Sequence, residues 1–326
     1  MKTKNIATFY AVLAAALYAI NIPLSKLLLN HIKPTMMAAF LYLGAGIGLF
    51  VYSLTEKAFG KQVKREPLTK KELPYTIAMV VLDIAAPILL MFGISSTNSA
   101  NVSLLNNFEI VATSIIALVV FKEVISKKLW FAIALVTVAS AILSFEGSES
   151  FTFNSGSLFV LGACLCWGLE NNCTKMISNK SSVEIVIIKG TFSGLGSLLC
   201  AFIVCENLPA IQWIVCTLLL GFVAYGLSIH FYIMAQKNLG AAKTSAYYSV
   251  APFLGVVFSF LFLSERPGIQ FYAALVIMII STYLMVKDTI ALQHTHEHAH
   301  GDIVHTHIHT HDNDSENHNH KHNLPL

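Results

Sequence analysis

Leu158 to Ile177 reads LFVLGACLCWGLENNCTKMI. An apolar run of roughly 20 residues is what a helix needs to cross about 30 Å of hydrocarbon. Its later part nevertheless holds Glu170, Asn171 and Asn172. A carboxylate at membrane depth persists when it faces a protein interior or a wet cavity, so it marks a functional site. The run also has a counterpart near the start of the chain. Ala16 to Lys26, ALYAINIPLSK, sets Tyr18 against Trp167, Asn21 against Glu170, Ser25 against Thr174 and Lys26 against Lys175.

Outward from this stretch the whole chain has the same character. Hydrophobic residues make up 55% and charged residues 12%, with a mean hydropathy of +0.65. A soluble domain carries about 25% charged residues, so this is an all-α integral membrane protein. Apolar runs fall at 6–29, 34–54, 74–94, 99–121, 128–145, 156–177, 184–205, 210–234, 240–263 and 269–286. Each is near the length of a tilted spanning helix. Barrel strands would instead alternate over about 10 residues. The first run is longer than a signal-peptide core of about 7 to 15 residues and reads as a retained span.

Lysine and arginine then set the orientation, because loops rich in them stay cytoplasmic. Lys2 and Lys4, Lys57 to Lys71, Lys122 to Lys128, Lys175 and Lys180, Lys237 and Lys243, and Lys287 share one side of a ten-span chain. The other side holds Lys26, Lys33 and Arg266, with acids such as Glu146, Glu149 and Glu206. Both termini are therefore expected in the cytoplasm, with the protein in the plasma (inner) membrane. The net charge of +3 is dispersed between apolar runs and forms no basic face, which argues against nucleic acid as a partner.

The repeat extends beyond the two starting segments. Ser114 to Val124, SIIALVVFKEV, matches Val256 to Arg266, VVFSFLFLSER, and Glu123 stands where Glu265 does. Five spans per half is an odd number, so the second half enters the membrane upside down. The expected fold is ten transmembrane helices in two inverted five-helix repeats, 1–146 and 147–288, followed by a disordered tail, 289–326. Inverted repeats of this kind place the substrate of a secondary transporter near the midplane between them.

On these residues, the Trp167–Gly168 segment, Pro252 to Glu265 and its counterpart Asn107 to Glu123, the chain resembles the drug/metabolite transporter superfamily with two EamA-type domains, up to about Lys287. The first copy departs from the pattern, with Ile110 where the second has Pro252. The resemblance implies a secondary transporter of a small organic solute, an amino acid or metabolite, with export as the direction and alternating access as the mechanism. No enzyme arrangement of nucleophile, base and orienter stands out. The phosphate-binding pattern GxxxxGK[ST] is absent, which argues against direct ATP drive.

Asp83, Glu109 and Glu170 are the intramembrane acids, and Lys189 is the matching base. Such residues cost about 2.5 to 3.5 kcal/mol each at mid-membrane, so they should face inward and partner one another. One reading makes a carboxylate the proton acceptor that couples proton entry to solute exit. The other is a static ion pair of Lys189 with Glu170 or Glu109. Beside them lie Asn21, Asn98, Asn101, Asn106, Asn107, Asn171, Asn172, Tyr247 and Tyr248, which either bind solute or glue helices. His230 reads as a packing residue or a transport residue. Pro23, Pro87 and Pro252 interrupt spans, either as kinks or as broken helices lining a cavity. Gly44, Gly46 and Gly48, with Gly190, Gly194 and Gly196, form faces for close helix packing within the monomer. The six cysteines read as small buried apolar residues.

The tail is unlike the rest. His294, His296, His298, His300, His305, His307, His309, His311, His318, His320 and His322 largely alternate with other residues, and acids are interspersed. Neutral imidazoles on a flexible chain suit Zn, Ni, Co or Cu. No cofactor is required by the transporter reading. Metal ions bound by the tail nonetheless raise two rival functions, a divalent transition-metal transporter and a metal-responsive membrane sensor that transports nothing. The lipid bilayer and a small solute remain the expected partners.

Overall fold

The computed structural model describes residues 2–58, 68–121, 127–146, 152–177, 180–239, 244, 247–300 and 303–310. The first half holds α1 (Lys2–Ala19), α2 (Asn21–Leu28), α3 (Pro34–Ala58), α4 (Leu73–Ser96), α5 (Ser99–Leu105), α6 (Phe108–Phe121) and α7 (Lys127–Ser144). The short strands β1 (Phe145–Glu146) and β2 (Thr152–Phe153) pair antiparallel at the junction. Then come α8 (Ser155–Met176), α9 (Ser182–Ile203), α10 (Ile211–Gly221), a π-helical turn (Phe222–Leu227), α11 (Ser228–Leu239), α12 (Ala251–Leu263) and α13 (Ile269–Leu292). Helix is what continuous apolarity requires, since backbone groups in lipid must be satisfied within their own segment.

Among the described residues, seven stretches are long and apolar enough to cross a membrane: Asn5–Leu28, Pro34–Glu56, Leu73–Ser96, Ser99–Val120, Lys127–Ser144, Val183–Ile203 and Ile211–Tyr232. Ala251–Leu263 and Ile269–Leu284 are shorter apolar helices. These stretches overlap the apolar runs read from the sequence and do not by themselves make up all ten. Helix α8 has the length, with 22 residues, but carries Glu170, Asn171, Asn172 and Lys175. The protein is a multi-pass membrane protein, with large apolar side chains such as Val119, Ile203, Leu261 and Ile279 exposed on its outside.

One helix break falls where a polar side chain offers the backbone an alternative. Helix α5 ends at Asn106 and Asn107, and Asn107 Nδ2 donates to Leu104 O at 3.2 Å, a local bond that competes with the helical ladder. The first run breaks at Ile20, ahead of Asn21. Pro23 lies in the first turn of α2 and Pro252 in the first turn of α12, where a missing N–H is tolerated. Pro87 sits inside α4 without ending it, while the breaks before α2 and α12 fall just ahead of Pro23 and Pro252, where the i→i−4 bond of a proline is missing. The π turn lies between Gly221 and Ser228, a kind of irregularity that recurs at functional sites.

Each long packing contact joins one half to the other. Helix α4 lies along α8, α3 along α9, α7 along α13, α1 along α11 and α5 against α12. The glycine faces make the α3–α9 approach possible. A Cβ on Gly190 would stand 2.5 Å from Gly46 N, and one on Gly46 would stand 2.6 Å from Thr191 N. The cysteines are less uniform than expected: Cys164 is buried, Cys166, Cys173 and Cys200 are half-buried, and Cys205 and Cys216 are exposed.

Part of the tail lies among the described residues. Gln293–His300 (β3) and Ile303–Thr310 (β4) pair as an antiparallel ribbon. The alternation of histidine with Thr, Ile and Val between Val304 and Thr310 has the period of a strand. His311, His318, His320 and His322, like Lys122 and Glu123, lie outside the described residues.

Candidate functional site

Helices α4, α8 and α9 converge on a buried ion cluster. Lys189 Nζ of α9 stands 3.0 Å from Asp83 Oδ2 of α4 and 3.0 Å from Glu170 Oε1 of α8. The side chains are 15%, 0% and 2% exposed respectively, so the lysine is the least buried member. Tyr42 Oη donates to Asp83 Oδ1 at 3.0 Å, and Trp167 Nε1 donates to Tyr42 Oη at 3.4 Å. Thr174 Oγ1 donates to Glu170 Oε1. The static pair expected from the sequence is a triad, and Lys189 chooses Asp83 and Glu170 rather than Glu109.

Glu109 has a different setting. In the first turn of α6, its Oε1 accepts a hydrogen bond from Asn171 Nδ2 at 2.8 Å. Asn171 also donates to Thr113 Oγ1 at 3.3 Å. Asn172 donates to Gly168 O at 2.8 Å and Thr113 O at 3.2 Å, which assigns it to gluing α8 to α6. Asn106 lies one turn before Glu109, whose amide donates to Asn106 O at 3.1 Å. Cys164 Sγ approaches Asn106 Oδ1 at 3.9 Å, while Asn106 Nδ2 is buried without a hydrogen-bond partner.

A chain of tyrosine rings closes the same region. Tyr225 packs against Tyr18 at 5.9 Å and Tyr42 at 5.3 Å between centroids, and Tyr18 packs against Tyr248 at 6.0 Å. Asn21 Nδ2 donates to Tyr225 Oη at 3.0 Å. Tyr248 Oη lies 3.5 Å from Ser228 Oγ. Ser25 Oγ donates to Asn21 Oδ1 at 3.1 Å, the same one-turn hydroxyl contact that Thr174 makes to Glu170 at the matching place in the second half. His230 is not part of this group; its ring lies 4.8 Å from Tyr52 and 5.7 Å from Phe231. Sequence reasoning missed Tyr42 and Tyr225, the two hydroxyls that connect the amides to the acids. Among the described residues no group of three or more His, Cys, Asp or Glu could hold a metal ion.

One face of the bundle is fastened by two carboxylates that reach across the halves. Glu206, after α9, accepts from Thr35 N at 3.3 Å and Met36 N at 2.8 Å. Glu265, after α12, accepts from Ser99 N and Ala100 N, each at 2.9 Å. Each therefore caps the first turn of a helix in the other half, where unpaired amides and the helix dipole favour an anion. Each glutamate also follows a residue in the left-handed region, Cys205 with φ 57° and Ser264 with φ 50°. Lys26 Nζ on this face donates to Ile94 O at 2.5 Å and Thr97 O at 2.8 Å. At the other end of α4, Glu72 faces Lys180 at 3.9 Å, a long pair of the kind worth little at a surface. Hydrogen bonds from the Thr69 hydroxyl and amide hold the Glu72 carboxyl below the usual carboxylate range.

The fold and this polar core define a class: a multi-pass helical membrane protein with a charged site enclosed between two sets of helices. Comparison with known proteins gives the family. The EamA-like transporter family model matches residues 5–145 and again residues 154–287, and the chain belongs to that family. An uncharacterized transporter of Methanothermobacter thermautotrophicus is 23% identical over 289 residues, 83% of each chain. The uncharacterized transporter YyaM of Bacillus subtilis is 22% identical over 258 residues, 73% of this chain and 79% of its own. A solved crystal structure shares the fold with a TM-score of 0.61 at 14% identity, covering 85% of this chain and 94% of that one.

Proposed function

We propose that the chain is a secondary transporter of ten spans in two inverted five-helix halves. It moves a small organic solute, an amino acid or metabolite, out across the plasma membrane by alternating access, with both termini cytoplasmic. The observation that carries this reading is the triad, which joins Asp83 of the first half to Glu170 and Lys189 of the second at membrane depth. The helix pairing supports the inversion. If each span corresponds to the one five places on, α1 with α11 maps onto α8 with α4, while α3 with α9, α5 with α12 and α7 with α13 map onto themselves. The carboxylate caps lie on the face read as external and close it; the cytoplasmic face is held by the looser Glu72–Lys180 pair.

Proton coupling follows from the triad. One ammonium lies between two carboxylates, so a proton arriving on Glu170 releases Lys189 to Asp83 alone and loosens α8 from α9. The test is counterflow of a mixed amino-acid and metabolite pool into proteoliposomes bearing the purified protein, with and without a pH gradient. Glu170→Gln should abolish the gradient-driven part of the flux. Flux that is indifferent to both the gradient and the substitution rejects proton coupling, and no flux of any solute rejects transport. The histidine tail is placed outside the transport path as an accessory that binds Zn, Ni, Co or Cu. A metal path through the spans has no ligand set among the described residues.

A further inference from the structure

Among the described residues, Asp83, Glu109 and Glu170 lie within the helix bundle, and the ammonium of Lys189 stands between two of them. Lys189 is committed to Asp83 and Glu170 at 3.0 Å each, and among the described residues Glu109 is met by an amide donor, Asn171, rather than by an ion pair. An uncompensated carboxylate at this depth is costly, and a bound cation relieves that cost.

Two independent features surround Glu109 with the rest of a binding site. Asn106 Nδ2 is a donor with no partner on a residue only 6% exposed. It lies one turn from Glu109 on the same helix entry, in the crevice where Cys164 of α8 meets Asn106 Oδ1. A free amide donor there fits a neutral acceptor on the same ligand. The second feature is aromatic. Tyr225 and Tyr248 both pack against Tyr18, and tyrosine faces attract a desolvated ammonium within about 6 Å.

We infer that the transported solute carries a net positive charge: a protonated amine that pairs with Glu109 against the tyrosine rings, with a neutral hydrogen-bond acceptor close by for Asn106 Nδ2. This rests on the transporter reading and deepens it, because a free amino acid meets the same groups with a carboxylate that these acids repel. A charged amine with an amide or hydroxyl in that place does not.

A charge series of constant shape tests it. Alaninamide, leucinamide and phenylalaninamide carry +1, the free amino acids zero and the N-acetyl amino acids −1, each figure being approximate near neutral pH because the amine and carboxyl groups titrate well away from it. Binding to the purified full-length protein is read by calorimetry, and counterflow in proteoliposomes is read in parallel. At least one amide should bind about tenfold or more tighter than its free amino acid, as a charge step near a partly buried carboxylate demands. Its N-acetyl counterpart should not bind measurably. Glu109→Gln, which keeps an acceptor for Asn171 and so should preserve folding, should erase the preference, with the melting temperature measured to verify the fold. Tyr248→Ala should weaken amide binding while Tyr248→Phe retains it.

Free amino acids or N-acetyl derivatives that bind as well as the amides overturn the inference. So does a series in which nothing binds, or an amide preference that survives Glu109→Gln. Flux of a free amino acid with no amide binding defeats the charge inference and leaves transport standing. Amide binding with Glu109 dependence but no flux supports the charge inference and defeats transport alone.

Discussion

Lys189 decides how the interior tolerates its acids. Removing one partner of a buried ion pair costs about 3–5 kcal/mol, because the other charge is left uncompensated. Lys189→Met leaves two such carboxylates, Asp83 and Glu170, and should lower the unfolding midpoint in detergent sharply. Adding Glu170→Gln to that variant should restore part of the loss. A Lys189→Met protein that unfolds with the native one would show that the acids are neutral without the lysine. The acids and the lysine were legible in the sequence because a charged residue inside an apolar run stands out. Their pairing was not, because it depends on how α4, α8 and α9 are rotated about their axes, and Glu109 and Glu170 look equivalent without that rotation. Tyr42 and Tyr225 were not legible at all. A tyrosine among aliphatic residues is ordinary in a spanning helix, and only the contacts of its hydroxyl with Asp83 and Asn21 give it a role.

At the scale of the elements, the ends and breaks of helices carry the mechanism. Glu265 was visible in the sequence as a repeat marker, and Glu206 as an acid in a loop poor in lysine. That each caps a helix of the other half was hidden, because capping across halves needs the bend made by Ser264 and Cys205 in the left-handed region. Hydrogen bonds to a charged group contribute about 1.5–3 kcal/mol. Glu206→Gln and Glu265→Gln should each shift the bundle toward opening on this face. The readout is alkylation of the buried Cys164 by a small thiol reagent, followed site by site with mass spectrometry; it should accelerate in either variant and most in the double. Ser264→Gly, which adopts the same backbone with less strain, should leave the rate at or below the native one. Native rates in both glutamine variants would show that this face is closed by packing instead. The α3–α9 seam gives the packing counterpart. Gly190→Leu must displace the backbone of Gly46, which lies 2.5 Å from the position a Cβ would take, so it should reduce the yield of folded protein in detergent while a lipid-facing Leu199→Ala does not.

Over the whole molecule, the doubled start of the chain was legible in the sequence, and the family model matches residues 5–145 and again residues 154–287. The ribbon of the tail was not, because its composition, rich in His and Asp and poor in apolar residues, argued for disorder. Its period-two alternation pointed the other way. The ribbon's neighbours are its own two strands and the end of α13, so it is a satellite of the transport bundle. Its register sets His294 opposite His309, His296 opposite His307 and His298 opposite His305, and a segment rich in imidazole suits Zn, Ni, Co or Cu. Removal of residues 294–326 takes away these histidines and none of the helices that hold Asp83, Glu109, Glu170 and Lys189. The truncated protein should therefore lose its retention on a nickel-loaded resin and its zinc content by elemental analysis, while solute counterflow in metal-free buffer continues at the native rate. A truncated protein that is folded but transports nothing would instead make the tail part of the transport cycle, and the metal-responsive reading would then displace the accessory one.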